Sequence, residues 1–250
     1  MQSQAGDAIA AVEIKVLAAI PIRAVMENLG PKFESATGHN LAIKFASLGR
    51  VLKVIEDGET ADVVIIPEEG IDSLVKEGKV KAGNVTVFAR AGVGLAVRKG
   101  MPMPDISSLE ALKRTLLAAK SIAYSNPSWG GVSGAQFARA LDRLGIADEM
   151  KTKTIFPEVP GGDGLGMLLA NGTAEIAVHH IQELSRVPGI AIVGPLPPDL
   201  QNTIFFSAVI MAQAKNIEVA KNLVDFLCTP EAATLIKAKG MEPAISRLRS

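Results

Sequence analysis

The chain has 250 residues with 26 basic and 26 acidic side chains, so no net field draws it to nucleic acid or an anionic membrane. Aromatics make up 4%, too few for a base-stacking surface, and no apolar run approaches the ~20 residues of a membrane span. The single cysteine, Cys228, excludes an internal disulfide and a cysteine zinc cluster; in NLVDFLCTP it reads as a buried, inert thiol on an apolar helix face.

Residues 1–14, MQSQAGDAIAAVEI, have neither a basic n-region nor a long apolar h-region and are not an intact secretory signal. The protein is then expected in the periplasm if a signal has been removed, and otherwise in the cytoplasm. Residues 12–20 (VEIKVLAAI) form a nearly continuous apolar run, the pattern of a strand covered on both faces, ended by Pro21. Over 22–37, Val25, Leu29 and Phe33 recur at helical spacing. Pro31 predicts a break or kink there, and Gly38 closes the helix. Strands are predicted at 41–46 and 61–66, and helices at 48–57 and around Ile71, Leu74 and Val75. Repeated β-α pairs with short connections mark a doubly wound parallel sheet.

The rhythm changes near Val85. VTVFARAGVGLAVRKG holds two β-type runs punctuated by Gly92 and Gly94, a long or broken strand pair that crosses from one lobe to another. A second α/β set follows: helix 109–119, strand 122–124, a helix after Ser133, strand 152–155, helix 162–170, strand 176–178, a short helix from Ile181 and strand 190–193. Residues 203–212 (TIFFSAVIMA) read as the return crossing. Helices at 219–227 and 230–238 close the chain, the second with Thr229 as N-cap and Pro230 at N1. This order predicts an α/β protein of two doubly wound lobes joined by a two-segment hinge. Lobe I is expected to comprise 12–87 plus 205–243 and lobe II 88–204, with flexible termini at 1–11 and 244–250. Ligands of such proteins bind at the carboxyl ends of strands, here in a cleft between the lobes.

The candidate site residues lie at those strand ends. Ser125, Asn126, Ser133 and Gly134 belong to an uncharged, hydroxyl-rich loop between a strand and an amphipathic helix. Ser133 is the expected N-cap, so the free N–H groups after it suit a small anion. His179-His180 ends the strand that starts at Ile176 and is the most reactive-looking pair in the chain, since histidine as a residue type switches charge near neutral pH. Neighbouring strand residues point to opposite faces, so one imidazole is expected in the cleft and no metal site is expected. Arg90, beside the crossing, can hold a carboxylate through a bidentate fork. Arg50 opens a helix, where a cation opposes the dipole and hints at a partner. Gly161-Gly162-Asp163-Gly164 is read as a helix start that adds N–H groups to the cleft.

The order VLAAIPIRAVMENLGPKFESATGHNL, FASLGRVLKVIEDGETADVVII, SIAYSNP, NGTAEIAVHH and VAKNLVDFLCTPEAATLIKAKGMEPA resembles the ModA-like, molybdate-type periplasmic solute-binding proteins over about residues 12–243. GETADVVII and FLCTPEAATLIKAKG are its most specific parts. The resemblance implies a type II periplasmic-binding-protein fold and an ABC permease as partner. It implies ligand contacts at Pro21, Ser47, Leu48 and His180, and Gly49 follows Ser47 and Leu48 as a strand-tip candidate. Pro21, Leu48 and His180 stand where molybdate binders place hydroxyl-bearing residues, so the expected ligand is an organic (poly)carboxylate rather than molybdate. Aconitate isomerase resembles the same group. The alternative is therefore a cofactor-independent isomerase of an unsaturated acid, with His180 as the base. No cofactor and no metal is expected, and the chain is expected to be a monomer.

Overall fold

The computed structural model describes residues 11–129, 132–159, 161–201 and 203–247. In chain order, β1 (Glu13–Ala19) leads through a 3-10 turn at Ile20–Ile22 into α1 (Arg23–Thr37). The helix continues through Pro31 without the expected break: Pro31 removes one N–H, but the turns on either side are held by buried Met26, Leu29 and Phe33. Gly38, in the left-handed conformation at φ 74°, ends it. β2 (Asn40–Ala46), α2 (Leu48–Glu56), β3 (Val63–Pro67) and α3 (Ile71–Lys76) complete three β-α pairs. β4 (Val80–Ala91) and β5 (Val93–Arg98) follow, separated by Gly92.

Next come α4 (Leu109–Ala118), β6 (Ile122–Tyr124), α5 (Val132–Arg143), α6 (Ala147–Lys151) and β7 (Thr154–Ile155). The strand expected from residue 152 is confined to two residues, because Thr152 is the C-terminal cap of α6 and its hydroxyl donates to the Glu149 carbonyl. α7 (Gly162–Ala170), β8 (Ile176–His180), α8 (Ile181–Leu184) and β9 (Ile190–Pro195) follow. β10 (Ile204–Met211), α9 (Ile217–Leu227), α10 (Pro230–Ala238) and β11 (Glu242–Arg247) end the described chain. Thr229 caps α10, its hydroxyl accepting from the Ala232 N–H at 3.2 Å. Cys228 is half-buried at the C-terminal cap of α9, not within its apolar face. Residues 244–247, expected to be a loose end, belong to β11. No helix among the described residues is long and apolar enough to cross a membrane.

Two compact units divide the chain. The first comprises 1–88, 206–235 and 244–250, and the second 89–205 and 236–243. A six-stranded sheet runs β11-β4-β10-β3-β1-β2. Within it β1 pairs in parallel with β2 and β3, and β10 runs antiparallel to β3. Asp62, buried just before β3, ties this part together: its carboxylate accepts from the N–H of Lys15 at 3.0 Å and of Lys215 at 2.8 Å.

The second unit's sheet runs β7-β6-β8-β5-β9. Its strands alternate large and small residues. Val93, Leu95, Val97, Ile122, Tyr124, Ile176 and Val178 face one core, and Ala96, Ala123 and Ala177 face another that holds Leu165 and Leu169 of α7. The alanines leave room for α7 and α8 to lie close to the sheet. Tyr124 packs edge-on to Phe137 and Phe156, with centroids 5.1 and 5.3 Å away, and burial raises its phenol pKa.

Candidate functional site at the strand tips

In the second unit, β6 and β8 are parallel neighbours with Tyr124 opposite Val178. Their carboxyl ends therefore place Ser125-Asn126 beside His179-His180. Ser125, Ser133, His179 and His180 are all buried. Ser133 is the second residue of α5 and not its N-cap, and residues 130 and 131, which precede the helix, lie outside the described residues. Gly134 sits against Ser125: a Cβ there would fall 2.1 Å from the Ser125 carbonyl oxygen, so only glycine lets the first turn of α5 come this close. Asn126 turns inward on its own loop. Its side-chain oxygen accepts from the Ser128 N–H at 3.0 Å and from the Ser128 hydroxyl at 2.8 Å. Trp129, which ends that turn, is 43% exposed.

The two imidazoles do not diverge as strand alternation predicts. Their rings stack with centroids 5.1 Å apart and planes 13° apart. His179 follows the Ala177 side of the sheet, toward α7. His180 is the residue on which the chain turns from β8 into α8, so it leaves the alternation. Both rings meet Glu183, one turn along: His179 Nε2 lies 3.2 Å from Glu183 Oε2, and His180 Nδ1 lies 3.3 Å from Glu183 Oε1. His179 Nδ1 is buried with no hydrogen-bond partner among the described residues. Against the expectation of no metal-ligand set, one ligand atom from each of His179, His180 and Glu183 lies within 4.8 Å of the other two.

Glu183 is the residue that composition and spacing did not reveal. Burial pushes its carboxyl pKa up, but His179 and His180 pull harder, and the net pKa lies well below the ordinary 4.5. It is therefore a carboxylate at neutral pH, its side chain 12% exposed. The Gly162 N–H donates to its Oε2 at 3.1 Å. The glycine loop at the start of α7 thus serves an internal anion and not the ligand it was expected to serve.

Arg90 also finds its partner within the chain. Its Nε donates to Glu242 Oε2 at 2.7 Å, and its Nη2 pairs with the same oxygen. The fork expected on a ligand carboxylate is closed on Glu242, which sequence reading leaves invisible because 152 residues separate the two. This pair borders a cavity of about 930 Å³ whose lining includes Gly92, Ser107, Pro195 and Gln201 but none of the residues at the β6 and β8 tips.

In the first unit, β1 and β2 end level, with Ala19 opposite Ala46. Pro21 lies in the 3-10 turn after β1 and is half-buried. Ser47 is the N-cap of α2 and accepts from the Arg50 N–H at 3.4 Å. Its hydroxyl proton is left to donate elsewhere. Leu48 and Gly49 begin α2, and a Cβ on Gly49 would meet nothing within 4 Å. Arg23, the first residue of α1, stands at this same end. Its guanidinium carbon lies 4.9 Å from the centroid of Phe45. His39, the remaining histidine, is buried in the turn before β2 and accepts from the Val12 N–H at 3.3 Å.

Residues 14–242 match the family model described as bacterial extracellular solute-binding protein. Aconitate isomerase of Pseudomonas sp is 32% identical over 237 residues, 92% of this chain and 87% of that protein. The molybdate-binding protein ModA of Azotobacter vinelandii is 28% identical over 234 residues, 92% of this chain and 90% of its own. Among solved structures, the substrate-binding domain of a putative molybdenum ABC transporter from Clostridium difficile superposes with a TM-score of 0.80. It is 16% identical and covers 94% of this chain and 100% of that one. At that identity the likeness shows the fold alone, which is the ModA-type periplasmic-binding fold expected from the sequence. With a family model spanning nearly its whole length and a relative above 30% identity, the chain belongs to the bacterial extracellular solute-binding proteins.

Proposed function

We propose that this protein binds a small organic carboxylate at its strand tips, as a periplasmic component that delivers it to an ABC permease. This reading is supported by the chemistry of the positions that the resemblance to molybdate binders places at the ligand. A tetrahedral oxyanion is held by converging neutral donors, and Pro21, Leu48 and His180 supply no hydroxyl where such donors would stand. On the second unit, Ser125, Ser133 and the start of α5 around Gly134 remain as donors. Calorimetry with molybdate, tungstate, sulfate and a panel of mono-, di- and tricarboxylates tests the reading. Binding of a carboxylate without molybdate supports it; tight molybdate binding without carboxylate binding overturns it.

A second reading has its own observation. The aconitate isomerase match exceeds 30% identity, and the His179–His180–Glu183 cluster is a set that can take and return a proton. In a 1,3-proton shift, a C–H bond of the unsaturated acid breaks and its proton passes to His180. The electron pair moves the double bond by one carbon, and the proton returns at the far end. No cofactor is consumed. Glu183, kept ionised, stabilises the imidazolium formed midway. Incubation with cis- and trans-aconitate in deuterium oxide separates the readings: deuterium entering the acid supports the isomerase, and binding without exchange supports the carrier.

A further inference from the structure

We infer that His179, His180 and Glu183 form a binding site for one divalent transition-metal ion of the zinc class. The inference goes beyond the carboxylate reading and does not depend on it. All three ligands, and the residue that supports them, lie within the second unit.

The local fold brings these three together. β8 ends on His179 and His180, and α8 begins at Ile181, so Glu183 comes round one turn later and meets both rings. One ligand atom from each residue lies within 4.8 Å of the other two. The separations suit an ion better than hydrogen bonds. A charge-assisted N–H to carboxylate bond measures about 2.7–2.9 Å. Glu183 oxygens lie 3.2 Å from His179 Nε2 and 3.3 Å from His180 Nδ1. Two ligand atoms on one tetrahedral zinc ion, each about 2.0–2.2 Å from it, stand roughly 3.3 Å apart.

His179 supplies an independent observation. It is buried, and neither of its ring nitrogens has a hydrogen-bond partner among the described residues: the Nε2 approach to Glu183 is close but not aligned as a hydrogen bond. A buried imidazole in that condition is costly, and a cation that takes its lone pair removes the cost. The carboxylate is oriented from the other side. The Gly162 N–H donates to Glu183 Oε2 at 3.1 Å, and metal ligands are commonly fixed by such an outer hydrogen bond. Two imidazoles and one carboxylate are donors that zinc-class ions take, whereas calcium and magnesium prefer oxygen sets. Three protein ligands leave a fourth position for water or another oxygen. An ion held by His180 Nδ1 also takes the one lone pair of the neutral ring, so an occupied site and a His180 base exclude each other.

The test uses the full chain, freed of metal with a chelator and titrated with Zn2+ by calorimetry. His179→Gln and Glu183→Gln are measured beside it, with His39→Gln as a control that removes the remaining imidazole. Thermal unfolding is read on each. The wild type should take a single ion per chain and unfold at a higher temperature with it. His179→Gln and Glu183→Gln should each weaken binding by about a hundredfold, the upper end of what a lost outer partner alone costs. His39→Gln should bind as the wild type. A measurement on the unmodified chain decides the matter if the variants do not fold. In a long-range proton–nitrogen spectrum of the imidazoles, one equivalent of Zn2+ should shift the ring nitrogens of two of the three histidines and leave the third in place. No saturable binding at one equivalent, binding that both variants leave unaffected, or a response centred on His39 overturns the inference. Calorimetry with the acids tests the carboxylate reading separately, so either can fail alone.

Discussion

Gly162 and Glu183 fit together through a missing methyl group. The Gly162 N–H donates to Glu183 Oε2, and a Cβ on Gly162 would fall 2.6 Å from the Glu183 carbonyl carbon. The contact seats a carboxylate on the first turn of α7, where dipole and N–H favour it. It also holds that carboxylate against two imidazoles on the opposite side. One acid thus joins α7, α8 and the end of β8.

Replacing Gly162 by alanine should lower stability by about 1–3 kcal/mol, because the clash is with backbone and not with a flexible side-chain end. Gly134→Ala should cost at least as much, given the 2.1 Å approach to the Ser125 carbonyl. Gly49→Ala meets open space within a helix and should be neutral or slightly stabilising. Denaturant unfolding of the three variants checks the ranking; equal stability for all three would mean the close approaches are absent.

Glu183→Gln should destabilise the protein by about 1–3 kcal/mol at neutral pH, since it replaces a carboxylate that accepts from the Gly162 N–H and meets both imidazoles. Acid behaviour follows from the direction of the pKa. Below the ordinary 4.5 an unfolded Glu183 binds a proton that the native residue refuses, so its contribution is complete above that pH and is lost as pH falls toward the native value. The glutamine variant should therefore show a flatter stability profile below pH 4.5 than the wild type in chemical denaturation.

His180→Gln distinguishes the two functional readings. A carrier that loses one hydrogen bond should bind its carboxylate weaker by about 1 kcal/mol. An isomerase that loses its base should bind nearly as before and turn over ~10²–10⁴-fold more slowly. Parallel calorimetry and deuterium-exchange rates on this variant give the answer.

The Arg90–Glu242 pair should contribute little to stability. Both side chains are about half exposed or more, so water screens the attraction. A double-mutant cycle with Arg90→Ala and Glu242→Ala should return a coupling of about 0–1 kcal/mol that shrinks in salt. A coupling above 2 kcal/mol would show the pair to be a structural lock.

Most of the fold was legible because it is written in local pattern: apolar runs for strands, helical spacing for helices, and turn residues such as Gly38, Thr229 and Pro230. The site was less legible because its decisive contacts are not local. Glu183 lies near His179 in sequence, yet its meaning depends on Gly162 from another helix, and Arg90 is occupied by a residue near the end of the chain. The alternation rule failed at His180 because a strand that turns into a helix no longer alternates. Arg23 passed unnoticed in a helix start whose neighbour Phe45 lies on another strand.

The order of strands also sets a timetable for synthesis. The second unit's sheet uses only strands between residues 93 and 195, so all its pairings are available once β9 has left the ribosome. The six-stranded sheet is different: β3 must wait for β10 and β4 for β11, partners made well over a hundred residues later. Nascent β3, five buried residues in a row, therefore spends most of translation with one edge open. The part of the molecule written first is the part finished last, and a chaperone that shields nascent chains has its longest task there.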